Sequence, residues 1–108
     1  MRWLGIVAVL LGTVAWVATA AADDLELGRT VYAKKCASCH GADGKGNAKM
    51  AKMLKVNIPM MTDAAGKSDA ELMKLVSEGK KPMPSFKKRL SKEELEAVVH
   101  YVKKLGGK

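Results

Sequence analysis

Large aromatic side chains are scarce in this sequence. Its 108 residues include two tryptophans, two tyrosines and one phenylalanine, and both tryptophans, Trp3 and Trp16, lie near the start. The rest of the chain keeps only Tyr32, Phe86 and Tyr101. A domain of this size buries little apolar surface, and small scaffolds usually depend on disulfides, a metal or another prosthetic group. The composition therefore predicts one small domain that needs a disulfide, a metal or another prosthetic group to be stable.

Cysteine and acidic residues are also in short supply. The two cysteines lie three positions apart, and a disulfide between them would close a loop too short to constrain the fold. The chain has 19 basic and 11 acidic residues, a net charge of +8. Nucleic-acid binding fits this charge but not the export signal described below, so no nucleic acid is predicted. A basic exported domain more readily meets acidic protein surfaces or anionic lipid.

The first 22 residues differ in composition from the rest. A short positive start precedes an almost wholly apolar run from Leu4 to Val17, and small residues fill the next five positions. This three-part pattern predicts a secretory signal over residues 1–22 and a mature domain over residues 23–108, located in the periplasm. An Ala-x-Ala pattern fits cleavage after Ala20 or Ala22, and we take Ala22. The apolar run is shorter than the roughly 20 residues of a spanning helix; an uncleaved membrane anchor is the alternative.

Three segments have the apolar spacing of helices that pack one face against a core. The first has a capping-box-like start at residues 23–26, the second runs from Ser68 to Gly79, and the third follows Ser91. Their predicted inward-facing residues are Leu25, Gly28, Tyr32 and Cys36, then Leu72, Leu75 and Val76, then Leu95, Val98, Val99, Val102 and Leu105.

The intervening segments are short. Three glycines break the chain over residues 41–47, and Pro82 and Pro84 exclude a regular helix over residues 80–90. Residues 48–55 predict a short helix, and residues 56–67 predict a loop. The side chains that this short helix is expected to turn inward are Met50, Met53 and Leu54. No stretch alternates convincingly between apolar and polar residues, so the predicted fold class is all-α.

Residues 36–40 read Cys-Ala-Ser-Cys-His. A thioredoxin-like redox site would place its cysteine pair after a strand, and no strand is predicted here. A structural zinc site needs four ligands, and His100 is the remaining candidate. Cys-x-x-Cys-His is the attachment signature of c-type haem, in which two thiols reach the vinyl groups and the histidine binds the iron. The motif predicts one haem c attached covalently to Cys36 and Cys39, with His40 as the proximal iron ligand.

The iron either takes a sixth ligand or keeps an open position. Met83 lies between Pro82 and Pro84, whose fixed φ angles stiffen a segment that cannot be helical. A stiff loop suits a weak thioether bond, so Met83 is the predicted distal ligand. The weaker candidates are Met60 and Met61 after Pro59, which are the reserve, Met73 within a predicted helix, and His100 beside the last apolar stripe.

The chain resembles the class I c-type cytochromes of bacteria over nearly all of residues 23–108. The stretches that carry the resemblance are Cys36 to Gly41, Glu78 to Phe86, and Leu90-Ser91 opening a helix that contains Tyr101. It implies a small cytochrome c fold with three to four helices wrapped around one covalently attached haem. It also implies Cys36 and Cys39 as thioether sites, His40 as proximal ligand and Met83 as distal ligand.

The family also has a characteristic helix crossing, in which a glycine and an aromatic residue of the first helix pack across the last helix. The matching positions here are Gly28, Tyr32, Val98 and Tyr101. One feature departs from many larger relatives: the mature chain has no tryptophan to hydrogen-bond a haem propionate. The groups that hold the propionates are therefore not predicted.

The resemblance implies one-electron transfer between redox proteins rather than an enzymatic reaction. With both axial positions filled, the iron has no vacancy for oxygen or peroxide, and a thioether ligand favours ferrous iron. We therefore predict a soluble, monomeric carrier between periplasmic redox partners with acidic docking surfaces. It reaches the membrane only through partners or through an uncleaved signal. The haem supplies core that the aromatic-poor chain lacks, so the apoprotein is predicted to be largely unfolded.

Seven lysines near the haem motif or the Met83 loop have two interpretations. They form either a basic rim that steers acidic partners or an ordinary solvated face, and they are Lys34, Lys35, Lys45, Lys80, Lys81, Lys87 and Lys88. Three alternative functions stay open on sequence alone. They are a cytochrome subunit of an exported dehydrogenase complex, a haem sensor or peroxidase with a displaceable distal ligand, and a thiol oxidoreductase without haem.

Overall fold

The computed structural model describes residues 17–107 together with Gly5 and Gly12, so most of the predicted signal lies outside the described residues. Six helices occur in this part of the chain: α1 (Val17–Lys35), α2 (Ala37–His40), α3 (Ala48–Leu54), α4 (Met61–Ala64), α5 (Asp69–Glu78) and α6 (Lys92–Leu105). Residues 17–107 contain no strand, only an isolated antiparallel bridge between Lys80 and Met83. The predicted all-α fold is confirmed, and α2 and α4 are single turns. None of the helices described is long and apolar enough to cross a membrane.

The start of α1 differs from the prediction. The helix begins at Val17, so residues 23–26 lie inside it instead of capping its first turn. The residues just before them are mostly alanine, which has the highest helix propensity, and no proline or glycine interrupts them. The helix therefore extends upstream of the predicted cap. Its predicted inner face is correct at Gly28, Tyr32 and Cys36, all of which are buried.

The crossing of α1 and α6 is the main packing contact of the fold. Gly28 lies directly against the α6 backbone, since an added Cβ there would come within 2.8 Å of both the Ala97 carbonyl carbon and the Tyr101 Cβ. The Tyr32 and Tyr101 rings are tilted by 53°, with centroids 5.3 Å apart, a favourable aromatic geometry. The predicted packing across the last helix is thus confirmed. It brings the end of α1, and with it Cys36, onto the core.

Local capping signals define α6. The Ser91 hydroxyl accepts the Glu94 backbone N–H at 3.1 Å, and the Glu94 carboxylate accepts the Ser91 N–H at 2.9 Å. These two bonds make a complete capping box, and they hold the pKa of Glu94 below its ordinary value. The α5 helix starts in the same way, with the Ser68 hydroxyl accepting the Glu71 N–H. It ends at Gly79, as predicted.

The core lies between α1, α5 and α6. It is largely aliphatic, and the largest fully buried side chains among the described residues are Tyr32, Val98 and Val99. Its buried members are Val31, Tyr32, Cys36, Met61, Leu72, Val76, Phe86, Leu90, Leu95, Val98, Val99 and Val102. Leu75 and Leu105, predicted to face inward, are only half-buried.

Two predictions for residues 48–67 were wrong in part. The short helix forms as α3, but Met53 is 68% exposed and Leu54 is 41% exposed, so these side chains do not face the core. The predicted loop contains the single turn α4, in which Met61 is buried. An added Cβ at Gly106 would meet the Ala65 Cβ at 2.5 Å, so the chain after α4 packs tightly on the end of α6. This distant contact, which local sequence does not encode, stabilises the extra turn.

Candidate haem-binding site

The Cys-x-x-Cys-His segment forms one compact turn at the end of α1. The Cys36 carbonyl accepts the backbone N–H groups of Cys39 at 3.2 Å and of His40 at 2.9 Å. Helical spacing of three and four residues places Cys36, Cys39 and His40 on the same side of this turn. Cys36 is buried, Cys39 is half-buried, and neither forms a disulfide. The turn therefore presents two thiols and one imidazole together.

The thiol environment differs from that of a redox-active cysteine pair. Burial raises the pKa of Cys36 to about 11, and the nearby Cys39 contributes in the same direction. Exchange with disulfides requires a thiolate, and reactive cysteines have lowered pKa values. The described residues also contain no group of three or more His, Cys, Asp or Glu side chains that could hold a metal ion by themselves. Neither feature matches a thiol oxidoreductase or a structural zinc site.

His40 is partly buried and has an unsatisfied ring nitrogen. Its Nδ1 is buried and has no hydrogen bond of good geometry within the described part of the chain. Burial lowers the pKa of His40, while the backbone of Pro59 acts in the opposite direction. Proline has no N–H, so the carbonyl of Pro59 is the group that acts on the imidazole. A neutral imidazole held near a backbone carbonyl has the form that binds metals.

Hydrogen bonds from both sides fix the segment after His40. The Gly46 N–H donates to the His40 carbonyl at 2.7 Å, and the Asn47 N–H donates to the Cys39 carbonyl at 2.8 Å. The Tyr32 hydroxyl reaches across from α1 and donates to the Gly41 carbonyl at 2.6 Å. Gly41 has a φ of 80°, which disfavours any side chain there. Hydrogen bonds therefore connect the C-terminal end of the motif to α1 and to the start of α3.

The hydrogen bond from the Tyr32 hydroxyl to the Gly41 carbonyl can be tested by mutation. We expect Tyr32→Phe to lose about 1 kcal/mol of unfolding free energy at neutral pH, because the Gly41 carbonyl loses its donor. Burial raises the pKa of Tyr32 to about 12 from the ordinary value near 10. The folded state thus binds the Tyr32 proton more tightly than the unfolded state does. The contribution of the hydroxyl to the unfolding free energy is therefore complete below pH 10 and is lost as the pH rises through about 12. Urea unfolding across this range measures both effects. A stability difference between wild type and variant that does not shrink above pH 10 would contradict the assignment.

Met83 lies in a loop attached at both ends. The Lys80 and Met83 backbones exchange hydrogen bonds of 3.1 and 2.8 Å, which close a tight turn. Downstream, the Ser85 hydroxyl donates to the Ser77 carbonyl at 2.5 Å, and the Phe86 N–H donates to the Val76 carbonyl at 3.1 Å. Met83 is half-buried and packs against the core cluster that contains Cys36. The loop therefore places the Met83 thioether against the same core cluster that contains Cys36.

The other candidate ligands have different surroundings. Met61 is buried in the core, and Met73 packs against it from α5. Met60 is 41% exposed. On α6, His100 Nδ1 lies 2.8 Å from Asp24 Oδ2 at the surface. All seven lysines of the predicted rim are exposed: Lys34, Lys35, Lys45, Lys80, Lys81, Lys87 and Lys88.

Comparison with known proteins agrees with this arrangement. A family model described as cytochrome c oxidase, cbb3-type, subunit III matches residues 23–102. Cytochrome c6 of Leptolyngbya boryana is 40% identical over 80 residues, which make up 73% of this chain and 89% of that protein. The chain belongs to the class I c-type cytochromes. The cytochrome therefore carries covalently bound haem c, and it transfers electrons.

Two further relatives differ in size. The cbb3-type cytochrome c oxidase subunit FixP of Bradyrhizobium diazoefficiens is 33% identical to this cytochrome over 88 residues, 78% of this chain and 28% of that subunit. The cytochrome thus spans little more than a quarter of FixP. Among solved structures, the c-type cytochrome KustC0563 superposes with a TM-score of 0.62 at 30% identity, covering 72% of this chain and 95% of that one.

Proposed function

We propose that this cytochrome is a one-electron carrier whose haem is attached through Cys36 and Cys39 and whose iron is bound by His40 and Met83. The observation that carries the proposal is the shared core. One helical turn presents both thiols and the imidazole, and the tied Met83 loop packs against the cluster that contains Cys36. The buried His40 ring also has the Pro59 backbone carbonyl beside it, which fits an imidazole oriented through one nitrogen while the other binds a metal. The residues present therefore fit a covalently bound haem.

Each of these residues has a distinct part in the proposed mechanism. A haem bound here would supply one-electron chemistry through the ferrous and ferric states of its iron. Cys36 and Cys39 fix its position, and burial keeps His40 neutral, so that one ring nitrogen is free to donate its lone pair. The stiff Met83 loop keeps the thioether in place and excludes other ligands. Met83 would hold the iron through its thioether, which would favour electron transfer over oxygen or peroxide chemistry.

We further propose that the cytochrome acts as a free, monomeric carrier in the periplasm, with residues 1–22 removed as a signal. The similarity to cytochrome c6, at 40% identity, supports the free carrier more than the 33% identity to FixP supports a complex subunit. The subunit function is the second candidate, because the matching family model describes an oxidase subunit. A sizing column run on the solubilised native extract distinguishes them: a free carrier elutes at the volume of a small monomer, and a subunit elutes with its complex.

The distal ligand is tested by replacing Met83 with alanine. We expect the variant to keep its covalent haem, lose the weak long-wavelength band of methionine-bound ferric iron, and bind carbon monoxide rapidly in the ferrous state. Its potential is expected to fall on the order of 0.1 V, part of the roughly 0.8 V range that axial ligands span. Met60→Ala is the matched control, since Met60 is exposed, and it should retain wild-type spectra. If Met60→Ala lost the band and Met83→Ala kept it, Met60 and not Met83 would be the distal ligand.

A further inference from the structure

The exposed large apolar side chains of the described residues are confined to one short segment. They are Met53, Leu54 and Met60, exposed to 68%, 41% and 41%. Met53 and Leu54 are the last two residues of α3, and Met60 directly precedes α4. Isolated exposed apolar residues are ordinary, but a cluster of them on a small domain is typical of a surface that binds a partner.

The same segment is purely basic. Lys49, Lys52 and Lys55 are all exposed, and no acidic residue occurs between Asp43 and Asp63. Lys49 and Lys52 are three residues apart on α3 and therefore share a face of the helix. We call these three lysines together with Met53, Leu54 and Met60 the α3 patch. The segment thus combines exposed apolar side chains with charges of one sign, the two kinds of residue that make up the centre and the rim of a transient protein interface.

Lys55 also has an unfavourable backbone conformation. Its φ of 57° and ψ of 43° are left-handed, where glycine is the usual residue after a helix. A non-glycine residue in this region costs on the order of 1–2 kcal/mol. A lysine is thus kept at a position where glycine would be more stable, which supports a use for its side chain outside the fold.

The α3 patch is connected directly to the proposed haem attachment. Asn47, which caps α3, donates its side-chain Nδ2 to the Ser38 carbonyl at 3.1 Å and its backbone N–H to the Cys39 carbonyl. At the other end of the patch, Met60 follows Pro59, whose carbonyl acts on the His40 ring. Both ends of the segment therefore contact the motif that holds the haem, so a partner seated there lies close to the redox centre.

We propose that the α3 patch is the docking surface for an acidic redox protein. This inference rests on the proposed carrier function and names the surface by which it exchanges electrons. The absence of acidic side chains between Asp43 and Asp63 favours a partner with a negative surface, and complementary charge gives fast, short-lived encounters. A second copy of this chain does not fit, because two patches bearing only lysines repel each other. The exposed apolar side chains of Met53, Leu54 and Met60 distinguish the α3 patch from the seven-lysine rim.

The experiment compares two reductants of the ferric holoprotein by stopped-flow spectroscopy at low ionic strength. Reduced flavodoxin, a small acidic electron donor, reports docking, and free reduced lumiflavin, which is small and lacks a docking surface, reports access to the haem. For Lys49→Glu/Lys52→Glu we expect the flavodoxin rate constant to fall about tenfold and its salt dependence to weaken, with the lumiflavin rate unchanged. Met53→Ser/Met60→Ser should lower the flavodoxin rate at all salt concentrations.

Two controls change the net charge by the same amount. Lys67→Glu/Lys104→Glu alters exposed lysines outside the patch, and Lys87→Glu/Lys88→Glu alters the rim. We expect each to change the flavodoxin rate by less than threefold. If the first control lost as much of the flavodoxin rate as the patch variant, net charge alone would explain the effect. If the rim variant lost more, the docking surface would be the rim and not the α3 patch.

Other outcomes identify a different occupant. A changed haem spectrum or lumiflavin rate in the patch variants would mean that the patch covers the haem. If the wild-type protein sedimented with anionic phospholipid vesicles and the patch variants did not, while their flavodoxin rates stayed intact, the α3 patch would be a lipid-binding surface. Either result overturns the docking proposal. If neither reductant reduces the wild-type protein, the carrier function itself fails, whereas normal lumiflavin reduction with undiminished flavodoxin rates in the patch variants removes only the docking surface.

Discussion

Replacing both Cys36 and Cys39 with alanine is expected to give a colourless chain that is largely unfolded. The core of the described residues is mostly aliphatic, and Tyr32 and Phe86 are its only buried aromatic side chains. Small domains are stable by a few kcal/mol at most when they lack a disulfide or prosthetic group. Because a group that binds only the folded chain adds its binding energy to stability, losing its attachment removes that contribution. Far-UV circular dichroism should show loss of most of the helical signal.

A matched change inside the same motif separates attachment from disruption of the turn. Ser38 is exposed between the two cysteines, so Ser38→Ala alters the motif but neither thiol. We expect this variant to be coloured and fully helical. A double-cysteine variant with a native-like helical spectrum and a cooperative thermal transition would show that the chain folds without its haem.

Gly28→Ala is the second change with a large expected effect. Helix propensity alone predicts that it stabilises α1 by about 1 kcal/mol. The added methyl group, however, would lie within 2.8 Å of the Ala97 carbonyl carbon and the Tyr101 Cβ, and a backbone carbonyl in a helix cannot move aside. Overpacking of this kind costs roughly 1–3 kcal/mol or more, so packing outweighs propensity. We expect a net loss of about 2 kcal/mol and a fall in melting temperature of roughly 10 °C.

Gly66→Ala is the control for this change. Gly66 lies between α4 and α5, and an added Cβ would be 3.4 Å from the Asp63 carbonyl oxygen, an ordinary contact. Its conformation does not require glycine, so the substitution should be neutral or stabilise by a few tenths of a kcal/mol. Thermal unfolding of the two holoproteins, followed by circular dichroism, provides the measurement. Equal melting temperatures would refute the close helix contact.

The features that were predicted correctly from sequence are those encoded locally. Ser91 and Glu94 are three residues apart, and their reciprocal hydrogen bonds need nothing from the rest of the chain. The end of α5 at Gly79 and the irregular segment around Met83 follow from glycine and proline in the same way. The grouping of Cys36, Cys39 and His40 is also local, since one helical turn brings them together, while their roles as haem ligands stay predictions.

The features that sequence did not predict depend on contacts between distant segments. Pro59 and His40 interact across a segment that contains α3, and no residue pattern near either one signals this contact. Met53 and Leu54 have the spacing of an inward face, yet both are exposed within the described part of the chain. Periodicity predicts which side of a helix is apolar but not whether another element covers it. The upstream start of α1 follows from alanine content that was interpreted only as part of a signal.

The contact of α1 with α6 has a consequence for biosynthesis. These helices are the first and the last of the described chain, and each supplies the surface that the other needs, at Gly28 and at Ala97. A nascent polypeptide emerging from the ribosome cannot complete this pairing until α6 has been translated. Closure of the fold is therefore delayed until α6 has been made. It also means that a prematurely terminated product lacking α6 should be degraded rather than accumulate.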